Sequence, residues 1–306
     1  MIDVISIIFN KNNEFFKLTE KAKRLPHIGF SSFLLPALFI GLAAVLIQFL
    51  LAPLILGEAA GVDPVTKQIF LLYVYFSAVL FFIFLWIKLF EVRPFYTIGF
   101  TKNNFIKKYA SGYITGFGMT TLVVGAMYVF GGVEISSNPK AVQGFDALGT
   151  VVIMLFGFVV QGGSEEILAR GWMFQVIGAR YKPWIGAVIS SVFFSLLHLG
   201  NEGVNVFGVI NLLLFAFLMV LFVLKDKSLW GACAWHSAWN WSLGNFYGLS
   251  VSGTDEIPSV INLDSKGSEL INGGGFGPEG SLITTLILLC VIIYLFYKLY
   301  KTNYES

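Results

Sequence analysis

Eight runs of mainly apolar residues, each about as long as a bilayer-crossing helix, divide this chain. A helix that spans the hydrocarbon core needs roughly 20 such residues. The runs fall near 30–56, 69–90, 107–131, 147–168, 183–200, 204–224, 228–248 and 281–299. Only 12% of the 306 residues are Asp, Glu, Lys or Arg, about half of the ~25% usual in soluble chains. That is too little charge to coat a water-soluble globule. The fold class expected is all-α, a polytopic integral membrane protein of about eight transmembrane helices. A net charge of +2 excludes nucleic-acid binding, which needs a concentrated basic face. Cys233 and Cys290 both sit inside apolar runs, so neither a disulfide framework nor a Cys-rich metal site is available. The first run is too long for a signal peptide and lacks a small-residue cleavage site, so it reads as a retained span.

Basic residues set the orientation of such a chain, because they gather on the cytoplasmic side. With eight spans, all but three of the 20 Lys and Arg fall on one side, the exceptions being Lys67, Lys140 and Lys266. The favoured side holds both termini and the segments near 88–108, 169–182 and 225–227, so N- and C-termini are expected to be cytoplasmic. Acids collect opposite: Glu58, Asp63, Glu134, Asp146, Glu202, Asp255, Glu256, Asp264, Glu269 and Glu279. The organisation expected is a cytoplasmic N-terminal segment (1–28), N-terminal transmembrane helices (29–146), a core (147–248), an outer loop (249–280), and a last helix with a cytoplasmic tail (281–306). The N-terminal segment reads either as a surface-lying helix or as a solvated tail. The Gly-rich stretch 272–278 reads as a flexible part of the outer loop.

Ionisable groups within a span are costly and are functional candidates by default. Few pass that filter: Glu165, Glu166 and Arg170 in the fourth span, His198 in the fifth, and His236 with Asn240 in the seventh. Glu166 and Arg170 stand four apart and share a helix face, which predicts an ion pair. Glu165 is turned about 100° away and stays free for chemistry. Phe194 and His198 are four apart, as are His236 and Asn240. The fourth and fifth spans are joined by a short basic turn, Arg180-Tyr181-Lys182-Pro183. Glu165 and His198 lie almost equally far from it in sequence, which puts both roughly 25 Å along their helices. Gly162-Gly163-Ser164 reads as a place where the fourth helix kinks or opens. Gln161 and Asn211 read as polar packing residues between helices.

A carboxylate beside an imidazole can hold a water and take its proton. A second imidazole and an amide one turn apart can donate hydrogen bonds to the oxyanion that forms when water attacks an amide carbonyl. The set therefore suits hydrolysis of a peptide bond.

The motifs also resemble a known family. Glu165-Glu166-Ile-Leu-Ala-Arg170, followed by Gly171-Trp172-Met173-Phe174-Gln175, resembles the EExxxR motif of the CPBP family, the CAAX prenyl proteases and bacteriocin-processing (Abi) proteins. Phe194-Ser-Leu-Leu-His198 resembles its FxxxH motif, and His236-Ser-Ala-Trp-Asn240 its HxxxN motif. The likeness covers about 147–248. It implies an all-helical intramembrane endopeptidase in which Glu165 and His198 activate water, His236 and Asn240 bind the oxyanion, and Glu166 and Arg170 support the site. Members were long described as zinc enzymes and are now better described as glutamic proteases. A metal-free mechanism without cofactor is expected; zinc is the alternative, with Glu165, His198 and His236 as its protein ligands.

The expected partners are the lipid bilayer and a membrane-associated protein or peptide substrate, cleaved from a site that opens toward the cytoplasmic leaflet. The expected location is the cell (plasma) membrane. A second reading is a non-catalytic bacteriocin-immunity or regulatory protein on the same scaffold. A transporter would predict inverted repeats and paired broken helices, and neither is visible in the sequence.

Overall fold

The structure, a computed structural model, describes residues 4–56, 63–138, 142–254 and 258–305. Glu58, Lys140, Asp255 and Glu256, assigned above to the outer side, lie outside the described residues. Eight apolar helices make up the body: α1 (30–56), α2 (Pro64–Glu91), α3 (Phe105–Val129), α4 (Gly144–Arg180), α5 (Pro183–Leu197), α6 (Val206–Asp226), α7 (230–246) and α8 (Leu282–Tyr304). Six of them are long and apolar enough to cross a membrane, while α5 and α7 are shorter. The chain is thus an all-α polytopic membrane protein. Its one described sheet is a pair of three-residue strands, β1 (Val133–Ile135) and β2 (Leu263–Ser265), antiparallel to each other.

Helix starts follow the local chemistry. Pro64 and Pro183 occupy first-turn positions of α2 and α5, where a missing N–H costs nothing. The side chains of Asp63, Asn205 and Ser281 accept from backbone N–H groups in the first turns of α2, α6 and α8. α6 is apolar on all sides and is the most enclosed of the long helices.

Close helix contacts use small residues, as they must where lipid provides no hydrophobic drive. Gly112 and Gly116 of α3 lie directly on the backbones of Gly231 and Trp235 in α7, and a Cβ at either would collide with a carbonyl. Gly162 of α4 does the same against α7, where a Cβ would stand 2.9 Å from Ser237 N. Gly162 therefore serves close approach, and α4 runs through Gly162-Gly163-Ser164 without a break. Gly116→Leu is expected to destabilise by about 1–3 kcal/mol through overpacking, read as a lower melting temperature in detergent. An unchanged melting temperature would contradict this packing.

Five sequence expectations need correction. The fourth span does not stop near 168; α4 continues to Arg180, with π turns over Ile167–Phe174. Arg170 is accordingly buried and not part of a cytoplasmic segment, because Glu166 neutralises it inside the bundle. Arg93, counted above among the cytoplasmic basic residues, is also buried. Its Nε donates to Glu91 Oε2 at 2.7 Å, and Trp172 Nε1 donates to Glu91 Oε1 at 2.6 Å.

Within the N-terminal segment, Glu14–Lys17 packs into the end of the bundle as a plug and not as a solvated tail. Phe15 and Phe16 pack on Phe174, and Gln175 Nε2 donates to Phe15 O. The Gly-rich stretch of the outer loop is a compact turn. Gly273, Gly274 and Gly277 take positive φ, and Phe276 is buried on Gly208 of α6.

The segments grouped by charge do sit together. Lys23 N donates to Glu91 O, Arg180 to Leu25 O, Asn13 to Leu224 O and Leu229 N to Gly99 O, all at one end of the bundle. At the other end, β1 pairs with β2 and Asn201 bonds to Ser252 O.

Candidate active site

Glu165 and Glu166 close the regular α-helical part of α4, just before its π turns. Widened turns of this kind recur at functional sites. Behind the site wall, Arg170 Nη1 donates to Glu166 Oε1 at 2.9 Å, with both side chains fully buried. The Arg170 guanidinium also lies 4.5 Å from the centre of the Phe194 ring, a cation–π contact. Phe194 of α5 thus has a physical task four residues before His198.

α7 meets this pair with His236. Its Nδ1 lies 2.9 Å from the same Glu166 oxygen, and its Nε2 lies 3.7 Å from Glu165 Oε2. A nitrogen facing a carboxylate oxygen carries the hydrogen, so Nδ1 of His236 donates and the ring is locked with Nε2 toward Glu165. The other oxygen of Glu165, Oε1, accepts from Gln161 Nε2 at 2.7 Å, and Gln161 Oε1 accepts from Asn240 Nδ2 at 2.9 Å. One hydrogen-bonded run goes from Arg170 through Glu166 to His236 and another from Asn240 through Gln161 to Glu165, and the two approach each other at the 3.7 Å gap between His236 Nε2 and Glu165 Oε2. Glu165 Oε2 is buried without a hydrogen-bond partner among the described residues, and its side chain keeps 17% exposure.

His198 closes α5. Its Nδ1 is 2.8 Å from Phe194 O. A carbonyl only accepts, so that Nδ1 donates, and Nε2 is the basic nitrogen of the neutral ring.

Glu165, His198, His236 and Asn240 all line one cavity of about 420 Å³, a size typical of ligand sites. Its remaining wall is mostly apolar, with Leu72, Phe158, Leu168, Leu212 and Phe215 among its residues. Glu166 and Arg170 stand behind it. The neighbours differ from the sequence expectation in one respect: Glu165 is nearest to His236, while His198 faces it across the cavity without a direct bond. The walls also reach Asn201, Glu202, Val251–Thr254 and Glu279, at the end away from the basic segments.

Several site residues escaped the sequence analysis. Gln161, read as packing, stands four residues before Glu165 on the same face, and that spacing was the available signal. Tyr75 of α2 and Glu279 also line the cavity; nothing local in the sequence marks either. Asn211 does act as packing, with Nδ2 donating to Glu279 O and Ser281 O. For zinc, the fit is poor. Among the described residues no three His, Cys, Asp or Glu side chains are grouped to hold a metal.

Residues 147–242 match the family model described as Type II CAAX prenyl endopeptidase Rce1-like. The matched segment carries every one of the motif residues named from the sequence, which bears out the CPBP resemblance over that stretch; α1–α3 and α8 lie outside it. No curated protein and no solved structure matches the chain.

Proposed function

We propose that this integral membrane protein, whose residues 147–242 form a CAAX prenyl endopeptidase-like segment, is an intramembrane endopeptidase that hydrolyses a peptide bond in a membrane-associated protein or peptide. The observation that carries this reading is the convergence of Glu165, His198, His236 and Asn240, from three helices, on one largely apolar cavity. Glu165 Oε2 and His198 Nε2 hold the attacking water, and Glu165 takes its proton as the oxygen bonds to the carbonyl carbon. The resulting oxyanion accepts from the second hydrogen of Asn240 Nδ2, the first being used on Gln161, and from His236 Nε2 when that ring, its Nδ1 hydrogen held by Glu166, carries a hydrogen on both nitrogens. The tetrahedral intermediate collapses as the C–N bond breaks, and the proton held by Glu165 passes to the leaving nitrogen. The products are a carboxyl and an amine. Glu166 and Arg170 orient His236 from behind.

In liposomes that carry the wild type, candidate membrane peptides are cut; Glu165→Ala and His198→Ala variants cut none. Equal activity in all three overturns the reading. A resistance or signalling phenotype that persists in Glu165→Ala cells supports instead a non-catalytic immunity or regulatory role.

The mechanism is metal-free. Purified active protein is expected to retain its activity after chelation and dialysis. A stoichiometric zinc, lost together with activity, contradicts this. The cell membrane is the expected location, and membrane fractionation checks it.

A further inference from the structure

We infer that the cavity takes its substrate from the membrane face opposite the basic segments, so that the peptide it acts on is one displayed at the outer surface. That the occupant is a substrate rests on the proteolytic reading above; the side from which it enters does not.

The cavity runs from mid-bundle, where α4 and α7 contribute Glu165, Leu168 and His236, to the acidic end, where α2, α5 and α6 wall it with their halves nearer that end. α2 contributes Gln68 and Leu71, close to its start at Pro64. α5 contributes Leu197 at its finish, followed by His198, Asn201 and Glu202. α6, which begins at Val206, contributes Leu212. Glu165 and His236 lie at the floor.

The rim is a built structure. Thr254 N donates to Val251 O at 3.0 Å, closing a turn in which Ser252 (φ 50) and Gly253 (φ 82) are both left-handed. That turn is fixed at two points. Glu279 Oε2 accepts from Ser252 N at 2.6 Å and from Ser252 Oγ at 2.7 Å, and Asn201 Nδ2 donates to Ser252 O at 2.8 Å. Trp239 Nε1 donates to the other Glu279 oxygen at 3.1 Å, tying the rim to the helix that carries His236 and Asn240.

The basic end offers no entrance. None of the connections there lines the cavity. Below its floor come buried Trp172 and Phe174, the Glu91–Arg93 pair and the plug of Phe15 and Phe16. Basic segments mark the cytoplasmic side of a membrane protein, which turns the mouth outward. The charges that meet an entering peptide agree with an outer, acidic rim: Glu202 at the mouth and Glu165 within, with no Lys or Arg among the lining residues.

The test places single cysteines at Gln68 and Thr254 in the cavity, and at exposed Lys182 on the basic end, in otherwise full-length protein in intact cells. The unsubstituted chain, with buried Cys233 and with Cys290, serves as the control. A small, positively charged, membrane-impermeant thiosulfonate is the probe. Gln68→Cys and Thr254→Cys are expected to react in intact cells, and Lys182→Cys only after permeabilisation. Reaction of Lys182→Cys in intact cells, or loss of reaction at both cavity positions until the cells are permeabilised, overturns the inference. Neither result depends on proteolysis, so an inactive protein that labels from outside defeats the enzymatic reading and leaves the orientation standing.

Discussion

Glu165→Gln is expected to abolish hydrolysis while leaving the fold intact. Removing the group that takes the proton from water forfeits about 10²–10⁴ in rate. The substitution is mild structurally, because the amide keeps the shape of the carboxylate and can still accept from Gln161 Nε2, as Oε1 does at 2.7 Å in the wild type. Glu165 is also the one carboxylate of the pair that Arg170 does not bind, so its loss leaves the buried Arg170–Glu166 pair in place. The loss should appear in kcat, with KM and melting temperature little changed. A variant with wild-type kcat contradicts the role given to Glu165, and one that no longer folds shows the residue to be structural.

Arg170→Ala is expected to do the reverse and remove the fold first. Deleting one partner of a buried ion pair costs about 3–5 kcal/mol, because the other charge stays buried and uncompensated. Here the orphan is Glu166, left with only His236 Nδ1 at 2.9 Å, and Phe194 loses the guanidinium 4.5 Å above its ring. Poor yield or a much lower melting temperature is the expected result. Replacing both partners, as Glu166→Gln with Arg170→Met, removes the stranded charge and should recover most of that stability. Activity should stay low in the double variant, since His236 then lacks the carboxylate that fixes its ring. If Arg170→Ala alone melts like the wild type, burial of Glu166 does not depend on Arg170.

Much of this was readable from the residues, for physical reasons. Lipid tolerates few charges, so the apolar runs marked the helices and the basic residues sorted the connections to one end. The same scarcity made Glu165, Glu166, Arg170, His198, His236 and Asn240 stand out, and the i,i+4 spacing of Glu166 and Arg170 sufficed to foresee their bond. Pairing across helices was less legible. Equal heights brought Glu165 and His198 into one cavity, yet rotation of α7 placed His236 closer to the carboxylate. Arg93 looked cytoplasmic because its charge is visible in the sequence while its burial against Glu91, Trp172 and Gln175 is not. The turn at 272–278 looked loose because glycine permits both flexible chain and the tight positive-φ backbone found at Gly273, Gly274 and Gly277. Glu279 acts through Trp239 on another helix and Ser252 across a loop, which no local pattern announces, whereas Gln161 stands four residues before Glu165 and only its partner Asn240 lies on another helix.

The central claim, that the cavity cuts a membrane-associated peptide with a water activated at Glu165, is tested most directly in cells. Membrane peptides and their termini are compared by mass spectrometry between cells that carry the wild type and cells with equal amounts of folded Glu165→Gln protein. The account predicts at least one membrane-associated peptide that accumulates uncut in the variant, with its new carboxyl terminus found only beside the wild type. Identical sets of termini in the two would contradict it.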